Sequence, residues 1–126
     1  MCQLFIDAEP ELWQPRTRSL RIEGVVTSIR LEQFFWQVLS EIAQRDNMTD
    51  TSLISKLYLE SIDAGHDLGN FTSFLRVCCA RYLSMMANNQ ITRDSCSLSE
   101  VSNVEQILSL EKQLYSAKAP INSNKH

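Results

Sequence analysis

Arginines and small hydroxyls are the side chains here whose type and spacing could do chemistry. Arg16, Arg18, Arg21 and Arg30 fall within residues 16–30 against Glu23 alone, a net +3. The rest of the chain carries 8 basic and 14 acidic side chains, a net −6. A guanidinium is always charged, and its planar fork suits phosphate oxygens or the O6/N7 edge of guanine. Residues 25–31 alternate: Val25, Thr27, Ile29 and Leu31 share one face, and Val26, Ser28 and Arg30 the other. An outward row of this kind can hydrogen-bond to base edges. Residues for covalent chemistry are sparse. The two histidines, His66 and His126, accompany no nucleophile-base-acid order, glycine-rich phosphate loop or paired metal-binding histidines. The carboxylates are loosely spaced and form no recognisable acid-base dyad. We therefore expect no catalytic residue and no enzyme.

Cys2, Cys78, Cys79 and Cys96 contain no Cys-x-x-Cys pair. Neighbours on a helix point about 100° apart, so Cys78 and Cys79 cannot both face one metal. They read as small core hydrophobes, and neither metal nor cofactor is expected.

These side chains must be positioned by a small fold. The 126 residues suffice for one domain, and 44% apolar with 21% charged residues is ordinary for a globular chain. No apolar run is long enough to span a membrane, and Met1 to Glu11 lacks the basic start of a signal peptide, so a cytoplasmic location is expected. The net charge of −3 argues against a strongly basic nucleic-acid binder. The +3 stretch answers that objection, because binding depends on the local field and a dimer doubles it.

Leu4-Phe5-Ile6 has the makings of an edge strand. Pro10 suits the first position of a short helical turn that packs Leu12 and Trp13 on the body. In residues 19–31 the apolar positions change parity: Leu20 and Ile22 are even, Val25, Ile29 and Leu31 odd. Glu23-Gly24 must absorb that shift as a tight turn or a bulge. Strands are expected at 19–23 and 25–31. A helix then runs from Gln33 to Arg45 with Glu32 as its N-cap, Leu31 and Trp36 at staple spacing, and Phe35, Leu39, Ile42 and Ala43 as its buried stripe. A second helix is capped by Thr49, buries Leu53, Ile54, Leu57, Tyr58 and Ile62, and stops at Gly65. A third begins after Asn70 as N-cap and runs to about Asn88, with a broad apolar surface including Phe74, Cys78 and Tyr82. A fourth is expected over Leu98–Tyr115, with Val101, Val104, Ile107, Leu108 and Leu114 as a thin stripe, and disorder from Ala119 on. The expected division is an arm over 1–18, the main domain over 19–88 and a polar extension over 89–126.

Strand, helix, short turn and capped helix over residues 25–64 resembles the ribbon-helix-helix DNA-binding family, which includes the Arc and methionine repressors. Thr27 to Leu31 resembles the ribbon, and Asn47-Met48-Thr49 the turn between helices. Phe74-Leu75-Arg76 and Tyr82 extend the likeness to a bacterial subgroup with a third helix. The resemblance implies a mainly α fold with a short β-ribbon, an intertwined homodimer in which each chain gives one strand, and extra C-terminal helices. It implies a repressor-like regulator whose ribbon enters the major groove of double-stranded DNA, with Val26, Ser28 and Arg30 as base readers. The backbone at Thr49, Asp50 and Thr51 would seat a phosphate, with Arg16, Arg18 and Arg21 as further backbone contacts. Three departures stand out: Val26 is apolar where a polar reader is usual, Asp50 opposes an arriving phosphate, and the segment before Val25 is long and holds an extra strand that could pair with the ribbon and partly cover it. The alternative is a protein-interaction module, or an antitoxin-type protein, on the same helical dimer. Its partner would engage the third helix or the C-terminal tail, and a higher oligomer is compatible with either reading.

Overall fold

In the computed structural model, residues 2–94 and 96–122 are described, with 116–122 given by their backbone alone. A short helix α1 (Cys2–Ile6) and a 3-10 turn (Pro10–Trp13) lead into strands β1 (Pro15–Ile22) and β2 (Val25–Glu32). Helices α2 (Gln33–Arg45), α3 (Asp50–Asp63), α4 (Phe71–Ala87) and α5 (Val104–Asn122) follow.

The parity change marks a hairpin turn. Ile22 pairs with Val25, Leu20 with Thr27, Arg18 with Ile29 and Arg16 with Leu31. Each pair joins an even position to an odd one, and directly opposed residues share a face. Leu20, Ile22, Ile29 and Leu31 therefore lie together and are all buried. Glu23 and Gly24 occupy the turn with φ of 51° and 79°. Two consecutive left-handed residues form the turn whose twist matches that of the strands.

β2 runs into α2 without a linker, and the Gln33 amide donates to the Gln14 carbonyl at 2.9 Å, extending the ladder into the helix. Glu32 is the α2 N-cap residue but makes no capping hydrogen bond. At α3 the cap is made: Thr49 Oγ1 accepts from the Ser52 amide at 3.1 Å. Gly65, with φ of 76°, follows α3 in the left-handed conformation that lets the chain turn away. The hairpin's inner face packs on α2, α3 and α4. Trp36, Leu39 and Ala43 of α2 meet Leu53 and Ile54 of α3 and Phe71, Leu75, Cys79 and Tyr82 of α4 in one core. Burying a side chain the size of Leu31, Leu39 or Leu75 stabilises by about 1.5–3 kcal/mol.

Several expectations are corrected. β2 pairs along its whole length with β1 of the same chain, so each chain supplies two ribbon strands instead of one. β1 begins at Pro15, and the expected boundary between 18 and 19 falls inside it. Leu4–Ile6 is helical and exposed, not an edge strand. Leu12 is half-buried, but Trp13 stays exposed. Trp36 and Leu39 are buried as expected, whereas Phe35, Ile42, Leu57 and Phe74 are half-buried and Ile62 is exposed. The expected fourth helix divides into a 3-10 turn at Leu98–Glu100 and α5, of whose expected stripe only Ile107 is buried. Helix continues past Ala119 to Asn122, and residues 123–126 lie outside the described residues. Cys79 is buried and Cys78 half-buried, but Cys2 and Cys96 are exposed. Burial pushes the Cys79 thiol up to about 12 and raises that of Cys78, which disfavours either thiolate.

Candidate nucleic-acid interface

The hairpin's outer face carries three cross-strand pairs: Thr17 with Arg30, Ser19 with Ser28, and Arg21 with Val26. All six side chains are exposed. From Val26 to Arg30 the row extends about 13 Å at the usual strand rise. No acidic residue belongs to it. The core packing on the opposite face holds the strands flat against the helices, which leaves this face free to meet a partner. The Arg21 guanidinium donates to the Gly24 carbonyl at 3.3 Å, so it lies over the turn.

The eight arginines divide into two groups. Arg18, Arg45, Arg76, Arg81 and Arg93 are each ion-paired with a carboxylate. Among the described residues Arg16, Arg21 and Arg30 have no such partner. All three stand exposed on the hairpin. Glu32, the nearest acid to Arg30 in sequence, is taken by Arg76 of α4 at 3.0 Å, and that bond holds its carboxyl below the usual range.

Arg18 and Asp50 form one structural unit. Arg18 Nη1 donates to Asp50 Oδ2 at 2.7 Å, and its guanidinium lies 4.7 Å from the centre of the Trp36 ring. Ser40 Oγ donates to the same carboxylate oxygen at 3.3 Å. The Arg18 hydrogen bond lowers the Asp50 pKa although burial opposes it. The charge that stood against a phosphate at the start of α3 is thus offset by Arg18, which is itself engaged rather than free. Thr49 caps the helix, and the Thr51 hydroxyl lies 3.5 Å from both Arg18 and Asp50. Arg16 belongs to the inner row, opposite Leu31, yet its side chain is exposed, and its carbonyl accepts the Trp36 indole N–H at 2.9 Å.

Thr17 lies before the strand expected over 19–23, and Ser19 stands at its first position, where no neighbour across the strand pair marks it. The signal was present: Thr17, Ser19 and Arg21 are polar at odd positions while Leu20 and Ile22 are apolar at even ones. Arg45 was equally hidden. It closes α2, and its side chain is 5% exposed. It donates to the Thr92 and Cys96 carbonyls, both at 2.8 Å, and to Tyr82 and Asp94. All four partners lie at least 37 residues away along the chain, so no local pattern announces them. The network ties the segment after α4 to the end of α2 and does not reach the hairpin's outer face.

The described residues include no group of three or more His, Cys, Asp or Glu side chains placed to hold a metal, and no helix long and apolar enough to cross a membrane. Comparison with known proteins gives a match to a family described as the ribbon-helix-helix domain over residues 15–83. Curated proteins give no match. Among solved structures, the chain is similar to an uncharacterized protein from Bordetella pertussis Tohama I. The two are 50% identical with a TM-score of 0.72, over 75% of this chain and 76% of that one.

Proposed function

The chain belongs to the ribbon-helix-helix domain family, and from that premise we propose that it is a sequence-specific DNA-binding regulator of transcription. The observation that carries the reading is the distribution of arginines. Five are neutralised within the chain, and the three without a carboxylate partner all stand on the one exposed ribbon. The ribbon lies in a major groove. Arg30 forks onto a guanine, Ser28 bonds to either base type, and Val26 touches a thymine methyl. Arg16 meets the phosphate backbone, and the start of α3 at Thr49–Thr51 seats a second phosphate beside the neutral Arg18–Asp50 pair. The protein works as a cytoplasmic homodimer that presents two such surfaces to a two-fold site.

The test is a gel shift with the DNA upstream of the chain's own gene, titrated with salt. Log affinity should fall linearly with log salt, at about 0.9 per phosphate contacted. Arg30→Ala should weaken the specific complex by about 1–3 kcal/mol and relax one base position per half-site. Unchanged binding in Arg30→Ala, with stability lost instead, would make the strand structural only.

A second reading is favoured by the apolar side chains exposed on α4 and α5, Val77, Leu108, Leu110 and Leu114. It makes the helices a docking surface for a protein partner, as in an antitoxin. A salt slope near zero in the same titration selects that reading over the first.

A further inference from the structure

We infer that the chain binds a small zwitterion, an α-amino acid, in the cavity between the 3-10 turn, the start of β1 and the first turns of α2. Its ammonium is held by Glu9, Glu11 and Gln33, and its carboxylate by Arg16. Because the proposed function puts Arg16 on a phosphate, an occupied cavity competes with DNA. That consequence rests on the DNA-binding reading, and the site itself does not.

The cavity measures about 440 Å³, within the usual range of small-ligand sites. Its walls are tied by the backbone. The Leu12 amide donates to the Glu9 carbonyl at 3.0 Å and the Gln14 amide to the Glu11 carbonyl at 3.2 Å, which closes the turn. The Gln33 amide donates to the Gln14 carbonyl and the Trp36 indole N–H to the Arg16 carbonyl, both at 2.9 Å. These two bonds fasten the turn and β1 to α2. Gln33 and Gln37 stand one helical turn apart on the same face of α2, and both line the cavity with Glu9, Glu11 and Arg16.

Two observations point to the ligand. The first is Gln33 Oε1, the one buried nitrogen or oxygen among the described side chains that lacks a hydrogen-bond partner. A buried acceptor left without a donor is rare in native folds. The second is charge. Glu9, Glu11 and Arg16 line one cavity, yet among the described residues none of the three is ion-paired. Glu9 also makes no capping bond to the turn it precedes. A cation bound there alone would face Arg16, and an anion alone would face the two glutamates. A ligand that carries both charges meets all three: its ammonium donates to Gln33 Oε1 and a glutamate, and the Arg16 fork donates to its carboxylate. Leu12 and Pro15 give its side chain apolar contact.

The experiment is isothermal titration calorimetry of the full-length chain without DNA. The probes are L-leucine, L-glutamine and two halves of leucine: isopentylamine, which lacks the carboxylate, and isocaproate, which lacks the ammonium. One or both amino acids should bind, and should raise the melting temperature by about 5 °C at about ten times the Kd. Each half should bind on the order of tenfold more weakly than leucine, as should leucine to Arg16→Gln, Glu11→Gln and Gln33→Met. Circular dichroism confirms that each variant is folded. Gln33→Met should also keep or raise the melting temperature of the ligand-free chain, because it removes the unpartnered acceptor. In the gel shift, the amino acid should weaken the wild-type complex and lower the salt slope by about 0.9 per chain, with no effect on Arg16→Gln. The inference is overturned if neither amino acid binds, if either half binds as tightly as leucine, or if all three variants bind like the wild type. Binding that leaves the gel shift unchanged supports the site and overturns its competition with DNA. A chain that binds the amino acid but no duplex supports the site and fails the DNA-binding reading, so the two failures are read apart.

Discussion

Trp36 is the side chain on which the hairpin's attachment to the helices depends, and its removal can be worked through in parts. It is 4% exposed, its indole N–H donates to the Arg16 carbonyl at 2.9 Å, and the Arg18 guanidinium lies 4.7 Å from its ring centre. Arg18 is held in turn by Asp50, so β1, α2 and α3 meet at this ring. Trp36→Ala should destabilise by about 3–5 kcal/mol, the size expected when a large buried aromatic is cut to a methyl. Trp36→Phe keeps much of the apolar contact but leaves the Arg16 carbonyl without its donor and the cation over a weaker ring. One partly buried hydrogen bond is worth about 1 kcal/mol and the cation–π contact about 0.5–1 kcal/mol, so the loss should be about 2 kcal/mol. Urea unfolding followed by far-ultraviolet circular dichroism measures both, provided the slope m is unchanged. Against the roughly 5–15 kcal/mol typical of a domain, the alanine variant should shift the midpoint by a large fraction. A loss under about 1 kcal/mol for Trp36→Ala, the usual size for surface positions, would refute the reasoning. Equal losses for Phe and Ala would place the effect in the indole N–H and the Arg18 contact and none in the packing.

Three further perturbations test other parts of the structure. Arg45→Met takes the donor from the Thr92 and Cys96 carbonyls and from Tyr82, and should lower stability by about 1–3 kcal/mol, the cost of leaving such groups unsatisfied; a melting curve shifted by only a degree or two would count against that network. Glu23→Asn should raise stability by about 0.5–1 kcal/mol in the same urea assay, because Glu23 sits at φ of 51° where Asn fits better, and no gain would mean the turn carries no strain. The hydrogen bonds from Arg18, Arg76 and Arg93 depress the carboxyl pKa values of Asp50, Glu32 and Glu41 below their ordinary values of 3.8, 4.5 and 4.5. A depressed carboxylate stabilises the fold fully above its unfolded value and loses that contribution as pH falls through the folded one. Unfolding free energy should therefore be level from neutral pH to about 5 and decline below about 4.5, with a shallower decline in Asp50→Asn; a stability that rises on acidification would contradict all three pairings.

What the sequence disclosed and what it withheld separate along physical lines. The α2 span Gln33–Arg45, the Thr49 cap and the Gly65 stop are set by residues close together in the chain, and local periodicity revealed them. The parity change at Glu23-Gly24 was also visible, but a turn and a bulge give the same sequence mark. Choosing between them requires knowing which strand β2 pairs with, and that depends on where the core closes. The same limit hid the second row of the outer face, because Thr17 and Ser19 gain their neighbours only across the strand pair. On α5 the apolar spacing suggested a buried stripe, yet spacing records only which side chains share a face. Within the expected stripe Ile107 is buried and Val101 packs against the core, whereas Val104, Leu108 and Leu114 remain exposed.

Charge shows the same limit more sharply, and it bears on the proposed function. A sum over residues 16–30 counts Arg18 as equal to Arg21 and Arg30, although Arg18 is bound to a carboxylate 32 residues away. Counted by its own pairings, the hairpin offers Arg16, Arg21 and Arg30, with Glu23 at its tip. The other five arginines sit against carboxylates of this chain, where each pair contributes almost nothing to the distant field. A polyanion approaching a chain of net −3 is repelled in general and attracted at one place. That arrangement favours a partner gripped at the ribbon over one held loosely across the surface. It also gives the salt titration a definite expectation. With Arg16 and the start of α3 on phosphates in each chain, the slope should stay near 2 per chain at about 0.9 per contact, and a much steeper slope would mean that cations now paired inside the fold are released to the DNA.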